Sequence, residues 1–342
     1  MNDQKPTPPR RSAGMKRVAR AVWYTAPGKV ELRSQPLAVP RPGEALVKTL
    51  FTGISRGTER LVHSGAVGES EWGRMQAPMQ EGQFPFPVKY GYCAVGQVEA
   101  GPEAWRGKTV FCLHPHQDWI ITTPDRLTMV PAHIPPRRAT LAANMETALN
   151  ALWDSGAGPA DRIVVVGAGV VGLLIAYLAA RLPGADVTVL DVAPERRAIV
   201  ESFGAKFAAG GQTHGSDPIA PADVVFHTSV TAAGLNAAIA CAGFEARIVE
   251  LSWYGDKDVP AKLGGAFHSQ RLQLISSQVG HVSASRRARW DYGRRMAAAL
   301  KLLDDPRLDQ LVAEAISFDD AASALPKLLA PGATGLAPVI RY

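Results

Sequence analysis

Short runs of alternating apolar and polar residues dominate the first third of the chain. Residues 18–24, 30–33 and 45–51 read as strands, separated by Pro27-Gly28 and by a turn at 40–43. No helical period is sustained over residues 17–113, so this part is expected to be β-rich. The texture changes after Pro135-Pro136. Residues 138–153 are rich in Ala and Leu and read as helix, and residues 162–166 form an apolar, β-branched strand that runs into a glycine-rich turn and a helix to Arg181. A strand at 187–190 and a helix to about Phe203 follow, with later strands expected at 223–227, 247–251 and 272–276. Continuous apolar strands alternating with helices predict a doubly wound parallel sheet covered on both faces. Residues 286–303 and 319–329 read as helices and 335–342 as a final strand.

At 342 residues the chain suits two domains. The expected division is an arm at 1–15, a β-rich domain at 16–137, a dinucleotide-binding domain at 138–280 and a C-terminal segment at 281–342. With 46% hydrophobic and 20% charged residues, the bulk of the chain is not disordered. The net charge of +6 is concentrated at one end: residues 1–20 carry Lys5, Arg10, Arg11, Lys16, Arg17 and Arg20 against Asp3 alone. The remainder is nearly neutral, and no nucleic-acid partner is expected. Cys93, Cys112 and Cys241 are too few and too scattered for a disulfide framework or a paired Cys-x-x-Cys zinc module, which points to a reducing compartment. Residues 1–15 are polar, Pro-rich and basic and read as a disordered arm, with Met15 an alternative start. Neither a signal peptide nor a membrane span is expected, and a cytoplasmic location follows.

Gly167-Ala168-Gly169-Val170-Val171-Gly172 lies between a buried strand and a helix. Gly167 permits the tight turn, Gly169 lets backbone approach a pyrophosphate, and Gly172 lets helix pack on strand. The diphosphate would sit on free N–H groups at the helix N-terminus. Asp191 follows Gly172 by 19 residues, at the end of the next strand. A carboxylate there accepts the ribose hydroxyls and repels a 2′-phosphate, favouring NAD(H), with NADP(H) the alternative if Arg196 or Arg197 neutralises that phosphate.

Over residues 18–342 the chain resembles the medium-chain dehydrogenase/reductase superfamily. The resemblance rests on Thr52-Gly53-Ile54-Ser55, Tyr90-Gly91-Tyr92-Cys93-Ala94-Val95-Gly96-Gln97-Val98, the helix containing Thr147, the glycine turn, and Arg196 through Phe203-Gly204-Ala205. It implies an α/β protein: a GroES-like β-rich catalytic domain, a Rossmann domain, a C-terminal return to the first domain, and a homodimer. Ser55-Arg56-Gly57-Thr58-Glu59-Arg60 resembles a segment of the branch containing bacteriochlorophyllide dehydrogenases that oxidise a hydroxyethyl side chain. On the same resemblance Thr147 faces the nicotinamide and Arg56 the pyrophosphate. The expected cofactor set is Gly167, Gly169, Val170, Val171, Gly172, Asp191, Arg196, Thr147, Arg56, Ser229 and Leu251.

Zinc-dependent members of that superfamily place Cys, His and Glu where this chain has Ser55, Tyr92 and Cys93. Hydroxyl groups are poor zinc ligands, so no catalytic zinc is expected. The four-cysteine structural lobe is also missing from residues 111–136. A metal held by His114 and His116 with Cys93 or Glu146 is the competing arrangement. Without metal, Tyr92 is expected to donate a proton or hydrogen bond to the substrate oxygen, Glu59 to orient or relay through Ser55 or Thr58, and His116 to shape the pocket. The plainer alternatives are a packed Tyr92 and an ion pair of Glu59 with Arg56 or Arg60. The basic stretch Arg286 to Arg295 is either a solvated face or a border of the cleft. The expected function is a zinc-independent NAD(P)-dependent dehydrogenase or reductase acting on a small-molecule secondary alcohol or carbonyl. A zinc-free enoyl or quinone reductase and a non-catalytic dinucleotide-binding protein are the alternatives.

Overall fold

The structure is a computed structural model that describes residues 17–210, 219 and 221–342. The arm expected at 1–15 lies outside the described residues. β1 (Val18–Ala26) and β2 (Lys29–Pro36) form an antiparallel hairpin across Pro27-Gly28. β3 (Ala45–Gly53) runs into α1 (Arg56–Ser64), a helix that the expectation of an unbroken β-rich region misses. Gly57 and Thr58 are weak helix formers and mask its first turn, yet Glu59, Val62 and His63 all turn inward. The remaining strands of this half are β4 (Glu81–Gly82), β5 (Val88–Lys89), β6 (Ala94–Ala100), β7 (Thr109–Cys112), β8 (Trp119–Thr122) and β9 (Leu127–Met129).

Two helices, α2 (Pro136–Ala139) and α3 (Ala142–Ser155), lead into the second half. There β10 (Arg162–Val166), α4 (Val170–Ala179), β11 (Asp186–Asp191), α5 (Arg197–Ser202), β12 (Lys206–Ala209), β13 (Ala222–His227), α6 (Ala232–Cys241), β14 (Ala242–Glu250), α7 (Ala266–Ser269) and β15 (Gln273–Ser276) alternate strand and helix. Among the described residues six parallel strands stand in the order β12-β11-β10-β13-β14-β15. The order reverses beside β10, which opens a crevice at the strand ends where dinucleotides bind in such sheets.

The chain then forms α8 (Tyr292–Leu302), β16 (Val312–Ser317), α9 (Ala321–Leu328) and β17 (Ala337–Arg341). The helix expected from residue 286 starts only at Tyr292, because the Asp291 carboxylate caps it by accepting the Arg294 N–H at 2.7 Å. β17 pairs antiparallel with β3, and β16 joins its far side, so the C-terminal strands complete the sheet of the first half. The largest buried apolar cluster runs from Cys93, Val95 and Phe111 through α3 to β10, β11 and α8. The two halves therefore share one core.

Candidate active site

A cleft of about 1020 Å³ lies between the halves. Its volume is at the upper end of ordinary small-molecule sites, about 300–1,000 Å³.

One wall is the glycine turn. Gly167 has φ +108°, and a Cβ there would meet the Ser229 nitrogen at 2.9 Å. A Cβ on Gly172 would lie 1.9 Å from the Gly167 oxygen, so α4 seats against β10 only with glycine at this position. Gly169 faces open space and stands, without a side-chain cap, at the N-terminus of α4. The first N–H groups of α4 have no partner within the helix and point toward the cleft, a cradle that fits a diphosphate. Val170, Val171 and Asp191 line the same wall. The Asp191 carboxylate accepts the N–H of Ala168 at 2.5 Å and of Ala193 at 2.8 Å, which fixes it beside the turn with lone pairs still available. Arg196 lines the cleft and donates to the Gly335 carbonyl at 3.3 Å. Arg197 does not reach it, being paired with Glu201 and stacked over Phe207.

The facing wall is built from the start of α1 and the segment between β5 and β6. Ser55, Arg56, Thr58, Tyr90 and Tyr92 line it, with the Ser55 and Thr58 hydroxyls beside the Tyr92 phenol. Burial pushes the Tyr92 phenol well above its ordinary pKa, reinforced by neighbouring Cys93 and Glu59 and only partly offset by the two hydroxyls. Arg56 spends its guanidinium on the loop before β17, donating to the carbonyls of Ala333, Thr334 and Gly335. It still borders the cleft, and its Nε has no partner among the described residues. Thr147 lines the cleft from α3, its hydroxyl donating to Ala143 O at 3.0 Å. Leu251 lines it from the end of β14.

Three expected site residues are placed elsewhere. Glu59 is fully buried behind the wall, where its carboxylate accepts the Ser55 N–H at 2.7 Å and the Tyr24 hydroxyl at 2.7 Å and lies 2.9 Å from His116 Nε2. His116, also fully buried, completes the network through Thr52 at 2.7 Å. Neither lines the cleft: in α1 Glu59 turns inward with Val62 and His63, while Thr58 and the N-cap residue Ser55 face out. The competing ion pair of Glu59 with Arg56 or Arg60 does not form either, since Arg60 donates to the carbonyls of Leu329 and Ala330. Ser229, expected at the cofactor, turns its hydroxyl to His227 Nε2 at 2.7 Å instead.

Arg295 and Glu146 are cleft residues whose roles the sequence left open. Arg295 is 2% exposed and donates to Glu146 Oε1 at 2.9 Å, to Asn150 Oδ1 at 2.6 Å and to the carbonyls of Val279 and His281. It ties α8, α3 and the loop after β15 together, so the last residue of the basic stretch is no solvated charge. Burial raises the Glu146 carboxyl above its ordinary pKa even though Arg295 works against it. The signal was a single Arg three residues after Tyr292 on a helix, unreadable without its partner.

The family model described as FAD dependent oxidoreductase matches residues 162–335. A glycine turn at a helix N-terminus with an acid on the next strand serves FAD and NAD alike, and that shared geometry lies within the matched region. The chain is 29% identical over 202 residues to 2-desacetyl-2-hydroxyethyl bacteriochlorophyllide A dehydrogenase of Cereibacter sphaeroides, covering 54% of this chain and 59% of that protein. It is 26% identical over 245 residues to an uncharacterized zinc-type alcohol dehydrogenase-like protein of Escherichia coli K12, covering 60% of this chain and 69% of the relative. Among solved structures, a short chain alcohol dehydrogenase of Escherichia coli CFT073 complexed with NADH superposes with a TM-score of 0.72 at 15% identity, covering 95% of this chain and 99% of the other. By its glycine-turn half and its two-domain fold, the chain belongs to the dinucleotide-binding oxidoreductases: it matches the FAD dependent oxidoreductase family there and has the GroES-like plus Rossmann architecture of the medium-chain, zinc-type alcohol dehydrogenase-like proteins throughout.

Proposed function

We propose that the chain is a nicotinamide-dependent dehydrogenase or reductase of a secondary alcohol or carbonyl, preferring NAD(H) and working without catalytic zinc. The observation that carries this reading is the Tyr92 hydroxyl, set beside Ser55 and Thr58 on the cleft wall that faces the glycine turn. The position of Asp191 supports NAD(H), and the solved relative complexed with NADH supports a nicotinamide over a flavin.

The donor set does not suit zinc. Ser55 and Tyr92 offer hydroxyls, Glu146 is engaged by Arg295, and burial pushes the Cys93 thiol well above its ordinary pKa. A bound nicotinamide supplies or accepts the hydride at the substrate carbon. The chain's own part is to hold the oxygen on that carbon. Tyr92 keeps its proton because its pKa is raised, so in the reducing direction it donates to the oxygen that gains charge, and the Ser55 and Thr58 hydroxyls stabilise the phenolic oxygen left behind. Phe111, Leu113, Met75 and Trp253 give this part of the cleft an apolar lining suited to a substrate with a sizeable apolar body.

The reading includes a homodimer. β15 ends the parallel sheet with one edge unpaired among the described residues, which a second copy could extend. It also includes a cytoplasmic location, supported by three free cysteines. No helix among the described residues is long and apolar enough to cross a membrane.

The test is turnover on a panel of secondary alcohols, ketones, enones and quinones with NADH, NADPH and their oxidised forms, followed by Tyr92→Phe on whichever substrate reacts. The variant is expected to lose about a hundredfold in kcat with KM little changed. Wild-type turnover by Tyr92→Phe would reduce Tyr92 to packing, and purification with tightly bound FAD would replace the nicotinamide reading with a flavin one.

A further inference from the structure

Val230 is exposed to 45% on the cleft wall and has φ +56°, a left-handed conformation that a β-branched residue seldom adopts. The residues around it explain how it stays there. Thr228, two residues earlier, donates its hydroxyl to the Gly167 carbonyl at 2.9 Å and so is pinned to the glycine turn. Ser229 is pinned by its hydroxyl, 2.7 Å from His227 Nε2. The N–H of Val230 donates to the Ser252 hydroxyl oxygen at 3.2 Å.

These attachments converge on one acid–base pair. His227, fully buried at the end of β13, places Nδ1 2.7 Å from the Glu250 carboxylate at the end of β14. That carboxylate also accepts the Ser252 N–H at 2.7 Å and the Tyr254 hydroxyl at 3.3 Å. Burial opposes its charge, yet the bonds from His227 and Ser252 hold its pKa below the ordinary carboxylate value. One end of the pair thus fixes the residue before Val230, and the other fixes the acceptor of Val230's own N–H. A hydrophobic residue would fill this space in a sheet more simply, and pairing a fully buried His227 with a partly buried Glu250 is costly to assemble for packing alone.

We propose that His227 and Glu250 are a positioning couple for dinucleotide binding, holding Val230 in its left-handed conformation so that its side chain meets the bound dinucleotide. The inference rests on the dinucleotide-dependent reading above. His227 and Glu250 do not touch the reacting atoms; they act through Val230 and Ser252. A return of Val230 to an extended backbone would take its N–H off Ser252 and its side chain out of the cleft wall.

The test is a double-mutant cycle on the full chain, with NADH affinity measured by fluorescence titration and the cofactor-free melting temperature measured alongside. Glu250→Gln is expected to weaken NADH binding about tenfold, the scale of one lost hydrogen bond to a charged group. Glycine takes the left-handed conformation without help, so in the Val230→Gly background the same change should cost less than about threefold. Ser252→Ala should behave like Glu250→Gln in both backgrounds, and it leaves the acid–base pair intact should Glu250→Gln fail to fold. An equal loss in both backgrounds would overturn the proposal, as would a lowered melting temperature with unchanged NADH affinity. Failure of the unmodified chain to bind NADH or NADPH would instead bring down the dinucleotide reading, and the couple with it.

Discussion

His114 is 4% exposed, its Nδ1 is 2.8 Å from the Pro115 carbonyl, and burial lowers its pKa from 6.5 to about 3. The folded protein therefore holds this imidazole neutral where an unfolded chain would protonate it. Its contribution is complete above about pH 6.5 and falls away as the pH drops toward about 3, a loss on the order of a few kcal/mol. Denaturant unfolding of wild type and His114→Gln between pH 7 and pH 4 should show the wild type losing stability more steeply. At Asp191, replacement by Ser should weaken NADH binding about tenfold while improving NADPH binding, since a phosphate no longer meets a carboxylate and Arg196 remains nearby. Tighter NADPH than NADH binding by the unmodified chain would show that Arg196 dominates. Residues such as Asp191 and Tyr92 were legible because position in a motif decides where they point. Glu59 was not, because its direction depends on a helix that Gly57 and Thr58 conceal, and the left-handed turn at Val230 was not, because no glycine announces it.

Among the elements, the strand, turn and helix around Gly167 to Gly172 were fully legible: an apolar run, a glycine spacing and an apolar helix permit one arrangement. Gly172→Ala tests it. With the Gly167 carbonyl 1.9 Å from the new Cβ, α4 must move off β10. Overpacking of this kind typically costs about 1–3 kcal/mol, and NADH binding should fall by more than about tenfold because the N–H cradle moves with the helix. Unfolding and titration of this one variant check both. Helix α8 was legible in existence but not in extent. Its start is set by Asp291, and the Trp153–Trp290 contact, with ring centroids 4.8 Å apart, holds the preceding segment outside the helix. The pairing of Arg295 with Glu146 spans 149 residues of sequence, a distance over which local pattern carries no information.

For the whole molecule, the apolar cluster that runs from Phe111 through α3 to Ile163 and Leu300 makes separate melting of the two halves unfavourable. Calorimetry of the full chain should give one unfolding transition; two well-separated transitions would show that the shared core does not couple them. The closure of β17 on β3 has a further consequence for how the chain is made. Thr52 and Tyr342 approach to 3.1 Å although 290 residues separate them. During synthesis the parallel sheet can assemble once β15 has emerged, whereas the Phe51–Gly53 end of β3, beyond the stretch that pairs with β8, must wait until β17 has left the ribosome. The half of the cleft that carries Tyr92 is thus the last to be completed, and a nascent chain acquires its cofactor cradle before the sheet that faces it is closed.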